Sequence, residues 1–317
     1  MKTISSYMRI AVSVLALAIL IPAGMALLLA TAATVGGAQA SSISVVPGTQ
    51  AVAQAPTLAT YAFGINAAGD IAGTYLTRTG SHGFLLHNGT YTKFDVPAAA
   101  NFTEAKAINV AGDIVGDYAD TRGNFHGFLR HDNNTYATLD VPGATGGTFP
   151  YGITNPGDIA GFYTDWRGHT HGFLLHHGTY ATLDDPRATG DTFIFGINNA
   201  GDIVGAAIFS GERQGFLLHD GTYTTLEAPG AEDTYANGIN PEGFIVGGAK
   251  AEVPAPTHGY LLHDGTYTAF NVPGATGGTH PHNINTAGDI VGTYIDGQKH
   301  DHGFLLHDGT YTTLDVP

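Results

Sequence analysis

One phrase recurs six times along this chain at an almost constant step, and that period constrains the fold more than any single residue does. The Gly-Phe-Leu core falls at Gly83, Gly127, Gly172, Gly215 and Gly303, with Gly259-Tyr260 as the sixth copy, and successive copies lie 44, 45, 43, 44 and 44 residues apart. A second marker keeps the same step, at Gly69-Asp70, Gly112-Asp113, Gly157-Asp158, Gly201-Asp202, Gly243-Phe244 and Gly288-Asp289. Self-similarity of this length marks a repeat architecture in which each unit packs on its neighbours.

The last copy shows what one unit is. Residues 279–285 alternate, 285–288 are turn material, and Asp289 to Tyr294 is rich in β-formers. A polar loop leads to the run from His302 to His307. Asp308-Gly309 then signals a type I′ hairpin, in which both central residues need positive φ. Thr310 to Val316 is the fourth run. Four short strands in one repeat make a propeller blade. The expected fold is therefore all-β: a six-bladed β-propeller of four-stranded antiparallel blades over residues 57–317. A β-helix would need shorter rungs. Phe84, Phe128, Phe173, Phe216, Tyr260 and Phe304 should fill the spaces between blades, and the glycine before each should let a neighbouring element approach.

The first residues differ in kind. Lys2 and Arg9 precede an apolar stretch from Ile10 to Leu29, and Ala38-Gln39-Ala40 offers the small residues a signal peptidase reads. Residues 1–40 thus read as a secretory signal peptide, with an uncleaved membrane anchor as the alternative. The expected location is secreted, periplasmic or extracellular, with no membrane contact once the signal is cleaved. In residues 41–56, Ser42 to Gly48 echoes the fourth strand and its turn. This segment is either a further strand at the seam of the ring or a linker.

Without residues 1–40 the chain keeps 10 Lys+Arg against 27 Asp+Glu, a net charge of −17. Such a surface repels nucleic acid and favours a soluble, monomeric protein. With no cysteine, neither disulfides nor thiolate chemistry is available.

The phrases Gly-Ile-Asn-x-x-Gly-Asp-Ile-Val-Gly and His-Gly-Phe-Leu-Leu resemble the bacterial extracellular repeat family called HAF, over nearly all of residues 57–317. The resemblance implies export and propeller-like repeats. It brings no established activity and no catalytic residues.

Residues repeated in every unit are expected to hold units together. This applies to the second histidine of the phrase (His87, His131, His176, His219, His263, His307), to the first (His82, His126, His171, His258, His302, with Gln214 in the fourth copy), and to the repeated aspartate, expected to stabilise its turn. No cofactor or metal site is expected from them, since six histidines on outer strands lie too far apart to share an ion. Departures from the pattern are the better signal. Each unit opens with Thr-x-x-x-(Gly/Ala/Asn)-Ile, and its first and third variable positions share a face of the strand nearest the axis. In order they are Tyr61/Phe63, Glu104/Lys106, Phe149/Tyr151, Phe193/Phe195, Tyr235/Asn237 and His280/His282. The loops between second and third strands lie at the same end and carry Arg78, Asp120, Arg122, Asp165, Trp166, Arg167, His169, Glu212, Arg213, Lys299, His300 and Asp301.

The candidate ligand-binding set is Tyr61, Glu104, Lys106, Tyr151, Phe195, Asn237, His280 and His282, at the mouth of the channel. Aromatic faces beside a few polar groups suit a sugar ring or another flat, partly apolar ligand. Packing between blades would also explain the aromatics, but charges at an inner position ask for a reason. Three functions stay open: a secreted binding or scaffold protein for a glycan or small molecule, a carbohydrate-active hydrolase or lyase using Glu104 with His280 or His282, and a structural cell-surface repeat protein.

Overall fold

The computed structural model describes residues 57–251 and 256–317. The segments read as signal peptide and N-terminal strand or linker lie outside these residues. Among the described residues, twenty-four strands form six separate four-stranded antiparallel sheets, each built from four consecutive strands. The sheets occupy residues 59–94, 103–139, 147–182, 192–226, 233–270 and 278–314, and are numbered blades one to six. In blade six the strands are Gly278–Ile284, Ile290–Ile295, Asp301–His307 and Thr310–Leu314. This is the expected six-bladed β-propeller. Among the described residues no helix is long and apolar enough to cross a membrane.

The core lies between blades. Phe84, Phe128, Phe173, Phe216 and Phe304 are fully buried and Tyr260 nearly so. Burying each ring is worth about 1.5–3 kcal/mol. The glycine before each ring explains the close approach. A Cβ on Gly127 would lie 2.8 Å from the Pro150 ring of the next blade, and one on Gly259 equally close to Pro281.

Two sets of polar staples turn six sheets into a ring. The buried threonine that opens each inner strand accepts a hydrogen bond from the backbone that leaves the blade before it. Val96 N donates to Thr103 Oγ1, Val141 N to Thr148, Asp185 N to Thr192, Ala228 N to Thr234 and Val272 N to Thr279. Val316 N completes the circle by donating to Thr60 Oγ1 at 3.1 Å.

The asparagine that ends each inner strand supplies the second set. Its Oδ1 accepts backbone N–H groups of its own turn, and its Nδ2 donates to the matching carbonyl of the next blade. Asn66 reaches Asn109 O, Asn109 reaches Thr154 O, Asn198 reaches Asn240 O and Asn240 reaches Asn285 O. Asn285 Nδ2 closes the ring on Asn66 O at 3.2 Å. Blade three has Thr154, whose hydroxyl only serves its own turn at Asp158 N. The ring therefore closes through side-chain staples and a shared apolar cluster of Ala62, Ile65, Val291, Leu314 and Val316. Within the described residues no blade borrows a strand from another.

The hairpin glycines Gly89, Gly178, Gly221, Gly265 and Gly309 all adopt positive φ, as does the residue before each, consistent with type I′ turns. Blade two places Asn134 in the left-handed region instead, with φ of 61°.

Candidate functional site

Both ends of the inner strands are set by the same geometry. Each inner strand carries a bulge where one residue has no partner on the second strand: Phe63, Lys106, Tyr151, Phe195, Asn237 and His282. A bulge re-aims its side chain. It also explains the glycine in Ile-Val-Gly, because a Cβ on Gly116 would lie 1.9 Å from Glu104 O.

The bulge residues of neighbouring blades meet around the axis. Lys106 Nζ sits 4.0 Å from the centroid of Phe63 and 5.1 Å from that of Tyr151. Tyr151 packs on Phe195 at 5.5 Å, and Phe63 packs on His282 at 4.7 Å. Asn237 Nδ2 donates to Pro281 O of the next blade. His282 Nε2 shares a hydrogen bond with Thr293 Oγ1. Of the candidate set, Lys106, Tyr151, Phe195 and His282 thus pack around the axis, and Asn237 ties blade five to blade six.

One layer nearer the mouth are Tyr61, Glu104, Phe149, Phe193, Tyr235 and His280. Glu104 pairs with Lys106 at 2.5 Å, so the ammonium, only 5% exposed, is occupied by a carboxylate and two aromatic faces. Burial pulls the Lys106 pKa down, but Glu104, Tyr151 and Asp117 together hold it above its usual value. The Tyr61 hydroxyl donates to Asp301 Oδ2 at 3.3 Å, tying the mouth to the loop of blade six. Burial, with Asp301, raises the pKa of that hydroxyl. His280 and His282 stay neutral: burial lowers them to about 4 and about 3 respectively, with His280 and then Lys106 adding to the effect on His282.

Two residues that belong here were absent from the candidate set. Asp117, on the second strand of blade two, faces Glu104 in register and is 3% exposed. Burial raises its pKa against the opposing pull of Lys106, and Asp117 Oδ1 makes no hydrogen bond within the described residues. Phe162, the equivalent residue in blade three, stacks on Phe149 and Tyr151 at 5.1 and 5.3 Å and meets Phe193 edge-on at 5.3 Å. The sequence held a signal for both. The residue after Ile-(Val/Ala)-Gly reads Thr74, Asp117, Phe162, Ala206, Gly248 and Thr293, a variable position inside a fixed phrase.

The repeated histidines have a structural role, through aspartates. His87, His131, His176, His219 and His307 bond the turn aspartate of their own blade at 2.6 to 3.1 Å. In blade five Phe244 replaces that aspartate and stacks on His263 at 3.7 Å. These histidines are half-buried to exposed and brace the turn and third strand of their own blade, where the sequence suggested that they hold one blade to the next. The repeated aspartate straps its turn to the outer strands, while the asparagine four residues before it organises the turn itself.

The two faces of the ring differ. Where inner strands end, uniform turns and the asparagine belt surround a cavity of about 90 Å³ lined by Asn66, Asn109, Asn155, Asn198, Asn240 and Asn285 among others. Where inner strands begin, the second-to-third-strand loops stand out. Trp166 on the blade-three loop is 72% exposed, with the Arg167 guanidinium 4.6 Å from its ring centroid. Arg213 lies over Phe193 and Tyr235.

Several solved structures share this fold. AofleA from Arthrobotrys oligospora superimposes with a TM-score of 0.57 at 11% identity, covering 82% of this chain and 88% of that one. Aleuria aurantia lectin, described as a six-bladed beta-propeller with a novel fucose recognition mode, gives 0.53 at 10% identity over 82% of this chain and 97% of the lectin. TolB from Acinetobacter baumannii gives 0.50 at 14% identity over 78% and 70% of the two chains. At these identities the likeness is one of fold. No family model and no curated protein matches the chain.

Proposed function

We propose that this chain is an exported, HAF-like propeller that binds a glycan on the face where its inner strands begin. The observation that carries this reading is the contrast between faces. Trp166 stands exposed beside Arg167 on the same face as the aromatic wall of Phe149, Phe162 and Phe193 and the Tyr61–Asp301 pair. An exposed indole offers a flat apolar surface to a sugar ring, and nearby polar groups fix its hydroxyls. The acidic surface favours a neutral glycan over an anionic one. The fold shared with Aleuria aurantia lectin, solved elsewhere in complex with Fucα1-6GlcNAc, adds support for a sugar ligand.

The channel residues form the floor beneath that surface. Lys106 and Glu104 satisfy each other, so their part is to hold the aromatic floor in place and keep it neutral. A glycan array that includes neutral fucosides tests the reading. Wild type should bind, folded Trp166→Ala should lose most of that signal, and Glu104→Ala/His282→Ala should weaken it. Equal profiles for all three proteins would remove this face from consideration.

A further inference from the structure

The loops that join second to third strands in blades two, three and six share one frame. An aspartate opens each loop, and its Oδ1 accepts two backbone N–H groups of the turn. Asp296 takes those of Gln298 and His300, Asp165 those of Arg167 and His169, and Asp120 those of Arg122 and Asn124. That leaves Oδ2 aimed at the first histidine of the next strand, 3.4 Å from His302 Nε2, and 3.6 Å from the Nε2 of His171 and of His126 in their blades. The far ring nitrogen of each histidine is held by a second carboxylate. Asp315 holds His302 Nδ1 at 3.0 Å, Asp184 holds His171 at 2.8 Å and Asp140 holds His126 at 3.0 Å.

Blades three and six add a further histidine four residues after the aspartate, giving Asp-x-x-x-His-x-His at 165–171 and 296–302. Blade two has Asn124 at that position. In blade six His300 Nδ1 comes to 3.6 Å from the same Asp296 Oδ2, and the ligand atoms of all three residues lie within 4.8 Å of one another. Bonds of about 2.0–2.1 Å to a tetrahedral ion place neighbouring ligand atoms roughly 3.3–3.5 Å apart. The Asp296 contacts, at 3.4 and 3.6 Å, are near that spacing and longer than the 2.6 Å of the His307–Asp289 bond.

We propose that Asp296, His300 and His302 form a site for a divalent first-row transition ion, and that Asp165, His169 and His171 form a weaker copy of it. Two imidazoles and one carboxylate suit such ions, with a remaining position open to water or to a ligand. Asp315 and Asp184 act as the outer carboxylates that orient the ligating ring through its other nitrogen. In blade three the ligand atoms of the three residues do not all come within 4.8 Å of one another, hence the weaker copy. Blade two, with its asparagine, is the internal reference that lacks the third ligand.

The test is calorimetric titration of ZnCl2 into the metal-free full chain at mildly alkaline pH, where imidazoles are free of protons. Wild type should show one tighter and one weaker site. His300→Asn should abolish the tighter one and His169→Asn the weaker one. Asp315→Asn should weaken the tighter site by about 10–100-fold. Asn124→His should create a new site in blade two. All of these positions lie outside the strands, and circular dichroism of each variant confirms the fold. The proposal is overturned if His169→Asn/His300→Asn titrates like wild type, which would assign the zinc to other histidines, or if wild type binds none.

Discussion

The belt of turns on one face and the loops on the other are built from the same repeat, yet they follow opposite rules. On the belt the blades repeat an asparagine, an aspartate and a histidine, with Thr154 and Phe244 as the two departures; the asparagine reaches the next blade, and the aspartate and histidine bond each other within their own. On the loop face the same positions of successive blades hold a tryptophan, arginines, histidines or nothing large. Packing like blades in a ring favours the same donor at each junction, which keeps the belt nearly uniform, Thr154 being the gap. No such requirement acts on the loops, which can accumulate chemistry. Residues at conforming positions therefore report on stability, and the departing positions of the loop face are where the proposed binding lies.

The largest expected effect comes from breaking the belt at its seam. Asn285→Ala removes the bond to Asn66 O and the acceptor for Ala287 N and Asp289 N. With the bond from Asn285 Nδ2 to Asp289 Oδ2, four buried or partly buried hydrogen bonds are lost, about 2–4 kcal/mol, measurable by urea denaturation. Glycan binding by the remaining folded protein should be unchanged.

Histidines of the two faces should respond to pH with opposite sign. His280 and His282 are neutral in the folded chain, with pKa lowered by burial to about 4 and about 3. In the unfolded chain they take up protons below about pH 6.5. Stability should therefore fall as pH drops from about 6.5 towards 4, by on the order of 1–3 kcal/mol for His280. Thermal melts of His280→Phe/His282→Phe should show a flatter acid limb. His219 and His307 on the belt have their pKa raised by the hydrogen bonds and charges of Asp202 and Asp289. Their contribution is present below the unfolded value and disappears as pH rises through the folded one, so removing them should flatten the neutral limb instead.

A hairpin turn on the belt face offers a third comparison. Gly309 has φ of 74°, and Gly309→Val should cost about 1–3 kcal/mol by strain. Gly309→Asn should cost less, since Asn134 already occupies that conformation in blade two. Both are read from denaturation midpoints. A smaller effect, of opposite sign, is expected at the belt's missing link. Thr154→Asn would give blade three the Nδ2 donor that the other five blades have, aimed at Asn198 O, and should stabilise by about 0.5–1 kcal/mol.

The architecture was legible because the repeat gives each strand and hairpin six times, and the type I′ glycines needed only local chemistry. The belt was not. An asparagine before Gly-Asp reads as an ordinary turn residue, and its second bond exists only once the next blade is placed beside it. At the mouth, alternation correctly paired Tyr61 with Phe63 and Glu104 with Lys106. The partners of Lys106 on the adjacent blades, Phe63 and Tyr151, depend on blade packing and the bulge, which no spacing encodes. Asp117 and Phe162 lie on the second strand, and only its register with the inner strand brings them beside Glu104 and Phe149.

The account's central claim is that the departing face, and not the asparagine-lined one, receives the ligand. The most direct measurement is a crystal structure of the chain with the best neutral glycan from the array. The account predicts the sugar stacked on Trp166, above the wall of Phe149, Phe162 and Phe193, with the asparagine-lined cavity holding only solvent. A sugar seated among Asn66, Asn109, Asn198, Asn240 and Asn285 would contradict it.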